Sequence, residues 1–250
     1  MRSGTPHIGS LKRVLTMLEA VIADGGRTSI AALARQVDMP TATAHRQVTT
    51  LVAEGYLAPS SGGGYVAGRR LLGLLNILDE KQVVASIAAA VLHDLARRVR
   101  SVAQLGTLEN DMVTYRIKIG HGASKLFTRV GMQLEAYCSG IGKVLIAHLP
   151  ERERELYLAT GPFIPLTENT IVEPEALAAE LEKVKEQGFA IDNAEISPNL
   201  FCVAVPIRRS SGEVIAAISV SQNMTYRHRI PQDELLPMLL AAAETIERRG

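Results

Sequence analysis

Apart from one short hairpin, apolar residues recur at helical spacing as far as residue 99, and beyond it strand-like alternation and helical spacing take turns. Val14, Leu15, Leu18, Val21 and Ile22 mark an amphipathic helix from about Leu11 to Ala23, ended by Asp24-Gly25-Gly26. Thr28 and Ser29 offer side-chain oxygens to cap a short second helix, Ile30 to Val37, which Asp38-Met39-Pro40 stops. A third helix opens at Pro40, where a proline loses no hydrogen bond, and runs to Glu54 before Gly55 closes it in a left-handed conformation. At roughly 100° per residue, Ala44, Val48, Leu51 and Val52 share one face of it. Ala42, Arg46, Thr49, Thr50 and Ala53 take the opposite face, with Thr43 on the flank. Gly55 to Val66 then reads as strand, flexible glycine turn, strand.

Gly68-Arg69-Arg70 leads into a short helix at Leu71 to Leu75, and Lys81 to Val99 describes a long connecting helix with a charged tail at Arg97-Arg98. The period then changes. Ser101 to Leu108 and Met112 to Ile119 read as strands joined by a turn at Glu109-Asn110-Asp111, and Phe201 to Ile207 and Val214 to Ser221 form a second hairpin around residues 208–212. Helices are expected at Val144 to His148, Glu151 to Ala159, Pro174 to Gln187 and Gln232 to Arg248. Helices flanking a mostly antiparallel sheet give an α/β fold of the α+β kind. The expected division is residues 1–78, a linker helix at 79–99, and a larger domain at 100–250.

Two short helices, a tight turn and a glycine-tipped hairpin outline a winged helix-turn-helix. A helix entering a major groove roughly 12 Å wide needs short side chains for close approach, hydroxyls for phosphates and an Arg for guanine. Thr41, Ala42, Thr43, Arg46 and Thr50 meet that need, Thr28 joins them at the preceding helix start, and Arg69 and Arg70 suit either phosphates or a solvated edge. An ordinary solvated helix would show the same polar face, and the adjoining wing is what favours the DNA reading.

These residues resemble the IclR family of bacterial transcriptional regulators. The matching segments are Leu33-Ala34, Pro40-Thr41-Ala42-Thr43-Ala44-His45-Arg46 and Leu51-Val52-Ala53-Glu54-Gly55-Tyr56-Leu57. The family carries Ser-Thr where this chain has Ala42-Thr43, so one hydroxyl contact is missing. The resemblance covers nearly the whole chain and implies a GAF-like effector-binding domain after the linker helix. It further implies dimers that pair into tetramers.

Charge supports this division. Residues 1–70 hold eight Lys/Arg against four Asp/Glu, whereas the remainder holds 19 against 22, so the basic surplus sits where DNA would lie. No apolar run approaches the roughly 18 residues of a membrane span, and residues 1–6 lack the apolar region of a signal peptide, so a cytoplasmic protein is expected. Cys138 and Cys202 are then expected as reduced thiols.

Candidate chemistry narrows the rest. Ser139-Gly140-Ile141-Gly142-Lys143 looks like a phosphate loop but fails as one, because Tyr137 stands where the first glycine belongs and Val144 replaces the magnesium-binding hydroxyl. A helix N-terminus suited to a small carboxylate remains. There is no nucleophile elbow, no paired-cysteine motif and no ligand spacing among the six histidines, so no catalytic residue, metal or cofactor is assigned. Ser219 and Ser221 lie two apart on a strand and face one side, into a pocket or toward solvent. The resemblance implies an effector site at Asp192, Cys202, Ser219 and Ser221 with the Gly140-Ile141 turn. Leu126, Met132, Leu134 and Ile141 add apolar side chains around that turn.

The reading is a ligand-responsive, DNA-binding regulator. Its partners are a partly palindromic double-stranded operator, bound by a dimer or tetramer, a second copy of itself, and a small organic effector, either a monocarboxylate or a neutral hydroxyl- or amide-bearing compound, aromatic or not. The alternative is a small-molecule carrier or enzyme with an N-terminal protein-interaction module.

Overall fold

The computed structural model describes residues 7–225 and 229–249, so the expectation for residues 1–6 lies outside the described residues. The chain folds as two compact units, residues 1–79 and 80–250.

The first unit runs α1 (Gly9–Asp24), α2 (Ile30–Gln36), α3 (Thr41–Ala53), β1 (Leu57–Pro59), β2 (Tyr65–Ala67) and α4 (Arg69–Leu75), with β1 and β2 paired antiparallel. Ser29 alone caps α2, its Oγ accepting from the Ala32 N–H at 3.3 Å. Thr28 does something else. Its hydroxyl and N–H both donate to the Asp24 carboxylate, at 2.8 and 2.9 Å, which ties the end of α1 to the start of α2 and removes Thr28 from the capping role expected of it. Between α2 and α3, Asp38 takes φ of 50° and the Met39 N–H donates to Ala34 O at 2.8 Å, burying Met39 in the turn. Ala44, Val48 and Leu51 of α3 close on Val21, Ile30, Leu33 and Leu57, around a fully buried Met17 that periodicity alone passed over. Leu15 and Ile22, expected on the core face of α1, are 48% and 41% exposed.

The second unit begins with α5 (Glu80–Val99), β3 (Val102–Glu109), β4 (Met112–Gly120), a 3-10 turn at Ala123–Lys125 and β5 (Gln133–Glu135). It continues through α6 (Gly140–Ala147), α7 (Glu151–Leu158), α8 (Pro174–Gln187), β6 (Ala190–Asn193), β7 (Leu200–Arg208), β8 (Val214–Asn223) and α9 (Gln232–Glu247). The six longer-range strands form one sheet in the order β5-β4-β3-β8-β7-β6, with every neighbour antiparallel. Asn110 and Asp111, at φ of 51° and 64°, make the two-residue turn that a right-twisted hairpin favours.

Alternation along β7 separates two cores. Phe201, Val203, Val205 and Ile207 pack with α5 and α9, whereas Ala204 packs on the other face with α6, α7 and α8. The helix read as a connection is itself part of the first of these cores, through Val84, Ala88, Leu92, Leu95 and Val99.

One helix starts earlier than its apolar run. The sequence places it at Val144, but α6 begins at Gly140, because Ser139 in an extended conformation accepts the Gly142 N–H at 3.0 Å. Only glycine fits at 142, since a Cβ there would lie 2.0 Å from the Ala136 carbonyl oxygen. The glycines are therefore the first turn of the helix and not a loop before it.

Candidate functional site

In the first unit, α3 presents Thr41, Ala42, Arg46, Thr49, Thr50 and Ala53 to solvent, with Thr43 half-buried on the flank. The hydroxyls are not equivalent. Thr49 Oγ1 donates to His45 O and Thr50 Oγ1 to Arg46 O, both at 2.9 Å, so these two engage their own helix and keep only acceptor capacity. Thr50 in this rotamer is not a phosphate donor. Arg70, one of the two arginines that open α4, lies 3.2 Å from Glu54 and stacks 4.9 Å from the Tyr56 ring centre, which fixes the base of the hairpin. Arg69 and Arg46 are exposed.

In the second unit, strand register assembles what the sequence scatters. Asp192 pairs with Cys202, Cys202 with Ser221, and Gln104 with Ser219, which puts polar side chains from four strands under the start of α6. Leu126, Gly140, Ile141, Asp192, Cys202, Ser219 and Ser221 all line one cavity there, with Gln104, Tyr115, Thr128 and Ser139. Met132 does not. It is held in the turn before β5, its N–H donating to Arg129 O and its carbonyl accepting from Tyr115, and that backbone pairing keeps it out of the wall.

The cavity has a volume of about 10 Å³, room for about one water molecule. Four of its polar side chains instead satisfy one another. Ser221 Oγ donates to Gln104 Oε1 at 2.9 Å, and Gln104 Nε2 donates to Thr128 Oγ1 at 2.9 Å. Cys202 Sγ lies 3.2 Å from Ser221 Oγ and, with the serine proton directed to Gln104, the thiol is the donor. Burial pushes the Cys202 thiol and the Tyr115 phenol well up, so both are neutral at ordinary pH.

Asp192 is the exception to this mutual satisfaction. Its Oδ1 accepts from the Glu195 N–H at 2.8 Å and the Ile196 N–H at 3.4 Å, while Oδ2 is buried with no partner among the described residues. Burial pushes the carboxyl up to about 7 against those two hydrogen bonds. The nearby cation offers it little. Lys143, 1% exposed, donates to Glu195 Oε1 at 2.7 Å and Glu180 Oε1 at 2.9 Å, and so is already engaged. Glu195 is itself pushed up by burial and drawn down by Lys143.

One wall is tethered rather than packed. Lys118 Nζ donates to Leu126 O at 2.7 Å and also to Thr128 O, so a single side chain from β4 holds both ends of the 126–128 segment. Of the lining residues the sequence missed, Gln104 carried a signal that it shares with Thr107 outside the cavity: both are buried polar positions inside a strand that is otherwise apolar and largely buried on both faces. Thr107 turns instead to Arg116, and Thr128 had no such marker because it lies outside regular structure.

Two family descriptions match the chain: an IclR helix-turn-helix domain over residues 10–60, and a bacterial transcriptional regulator IclR C-terminal domain over residues 77–248. Among curated proteins, the Pca regulon regulatory protein of Pseudomonas putida is 30% identical over 95% of this chain and 82% of its own length. The HTH-type transcriptional regulator XynR of Escherichia coli K12 is 31% identical over 92% of this chain and 91% of its own. Among solved structures, an IclR homologue from Microbacterium hydrocarbonoxydans, complexed with 4-hydroxybenzoate, is 29% identical with a TM-score of 0.63, covering 96% of this chain and 98% of that one.

Proposed function

The chain belongs to the IclR family of bacterial transcriptional regulators, a DNA-binding helix-turn-helix unit joined to an effector-binding unit, and on that premise we propose how each unit does its part. It is a regulator and not an enzyme. In the first unit, α3 enters the major groove with Arg46 as the base-reading side chain, and Thr41, Ala42 and Thr43 allow close approach. Arg69 reaches a phosphate, Arg70 braces the wing through Glu54 and Tyr56, and Thr28 stiffens the helix entry through Asp24. The regulator works as a dimer or a pair of dimers in the cytoplasm. Ile8, Leu11, Leu15 and Ile22 leave an exposed apolar row on α1 that a second copy would cover. Among the described residues, no helix is long and apolar enough to cross a membrane.

In the second unit, the effector enters the cavity under α6. The observation that carries this is the closed hydrogen-bond row Thr128, Gln104, Ser221, Cys202 beside the unpartnered Asp192 Oδ2, because a buried, mutually paired polar row with one orphan acceptor is a costly way to build a core. A ligand that replaces the internal pairings recovers that cost. The cavity must first widen, and the 126–128 wall, which lies outside regular structure and is tied by the side chains of Lys118 and Gln104 and by the Leu126 N–H to Gly122 O, is the part that yields. Since Lys143 is engaged by Glu180 and Glu195, the effector is neutral or at most a monoanion: an aromatic or aliphatic body with a hydroxyl, amide or single carboxyl end. The relative complexed with 4-hydroxybenzoate fits that class.

Calorimetric titration of the full chain with 4-hydroxybenzoate and related phenols and monocarboxylates, with Ser219→Ala/Ser221→Ala in parallel, tests the site. Binding that the double substitution leaves unchanged would refute it. Gel retardation with the chain's own upstream DNA at low salt tests the first unit, where no retardation would refute operator binding.

A further inference from the structure

A second cavity, about 810 Å³ in volume, lies in the 80–250 unit where α5 gives way to β3, and it shares no lining residue with the effector cavity. Its size falls within the range of small-molecule sites. Its charge is one-sided. His93 and Arg97 lie four apart on α5, Arg100 follows its last residue, His121 follows the end of β4, and Arg229 precedes α9. Among the described residues no carboxylate lines the cavity, and Arg100 and Arg229 make no ion pair. Asp94, 3.8 Å from Arg97 and 4.0 Å from His93 on the exposed surface of α5, offsets part of the charge.

Arg229 is held in place rather than merely exposed. The buried Gln222 amide donates to Ile230 O at 3.2 Å and accepts from the Ile230 N–H at 2.8 Å, which pins the chain beside Arg229. The Arg229 guanidinium then stacks 4.6 Å from the centre of the Phe201 ring, a contact that uses the face of the guanidinium and not its edge. A Cβ at Gly120 would lie 2.2 Å from the Ser101 carbonyl oxygen, so only glycine lets β4 run this close to the start of β3 and bring His121 to the rim. Arg100 takes φ of 49°, a left-handed conformation that an arginine adopts at a cost and that turns the chain from α5 into β3. Ala96 and Ile119 give the cavity an apolar wall.

We propose that this cavity is a second ligand site, which takes a small, multiply charged anion bearing a phosphate group or clustered carboxylates. Arg97, Arg100 and Arg229 supply paired N–H donors to its oxygens, and Ala96 and Ile119 cover its carbon skeleton. The site is concave and faces several sides of its ligand, which suits a compact anion better than the convex backbone of a duplex. Both sites belong to one folded unit, so occupancy of the second is placed to bias the first, whose effector carries at most one charge.

Full-length protein titrated with citrate and, separately, with inorganic pyrophosphate at low ionic strength should show saturable binding, with acetate at least about tenfold weaker. Arg97→Gln/Arg229→Gln should weaken both anions by at least about tenfold, and Arg229→Lys, which keeps the charge but not the planar fork, by less. Arg97 is 73% exposed, so Arg97→Gln alone tests the site if the double variant fails to fold. No saturable binding, equal affinity in wild type and Arg97→Gln, or an effect matched by sodium chloride at equal ionic strength would overturn the proposal. So would a doubling of mass with no anion bound, which would give the cationic wall to a second copy.

Discussion

The exposed face of α3 and the cavity under α6 are both built from small polar side chains and one longer hydrogen-bonding residue, yet they hold those side chains in opposite ways. On α3, Thr49 and Thr50 bond to carbonyls four residues back, while Arg46 stands in solvent. In the cavity, Gln104, Thr128, Cys202 and Ser221 bond across strands to residues 19 to 117 positions away, and all four are buried. An exposed polar group exchanges protein partners for water at little cost, so the first surface is free to vary. A buried one loses its desolvation energy when a partner goes, so the second surface ties binding to stability.

The comparison is broken most forcefully at Lys143. Lys143→Met leaves the buried Glu195 and its neighbour Glu180 without their cation, and unfolding in urea should show a loss of about 3–5 kcal/mol. A loss below about 1 kcal/mol would mean the buried charges are not structurally coupled.

Asp192 sharpens it through pH. In the unfolded chain its carboxyl ionises near 3.8, whereas the folded chain keeps the proton up to about 7. Between those values the unfolded state binds fewer protons, so this group makes stability fall as pH rises, by on the order of 4 kcal/mol across the whole window. Asp192→Asn should flatten that slope. Denaturation midpoints from pH 4 to 8 would reveal it, and a slope unchanged in the variant would exclude Asp192 as its source.

On the exposed side, Arg46→Ala should weaken operator binding by about 1–3 kcal/mol in gel-shift titrations and leave folding stability within about 0.5 kcal/mol. Thr50→Ala should do least of all. Its hydroxyl already donates to Arg46 O, so both stability and DNA affinity should move by no more than about 0.5 kcal/mol. A larger loss in DNA affinity would show that the hydroxyl turns outward on binding.

How much of this was legible beforehand depended on the range of the interaction. The turn between α2 and α3, the hairpin at Asn110-Asp111 and the whole of α8 follow from caps, turn residues and periodicity within a few positions. Asp192, Cys202, Ser219 and Ser221 could be nominated from strand alternation and family resemblance, and they do line one cavity. Met132 could not be excluded, nor Thr128 included, and the polar position of Gln104 in an apolar strand did not say which side chains it meets, because only the pairing of β3 with β8 and the Lys118 tether decide that.

The chain's own order of residues therefore determined its elements, its basic first part and acidic remainder, and its family, since propensity, capping and charge act locally or sum along the chain. Tertiary structure alone decided that Lys143 is an internal counter-ion, that Thr28 serves Asp24, that the cavity under α6 is shut, and that arginines from α5 and from the segment before α9 share one wall. Those outcomes depend on burial and on contacts between distant segments, where desolvation sets the energy and strand register sets the partners.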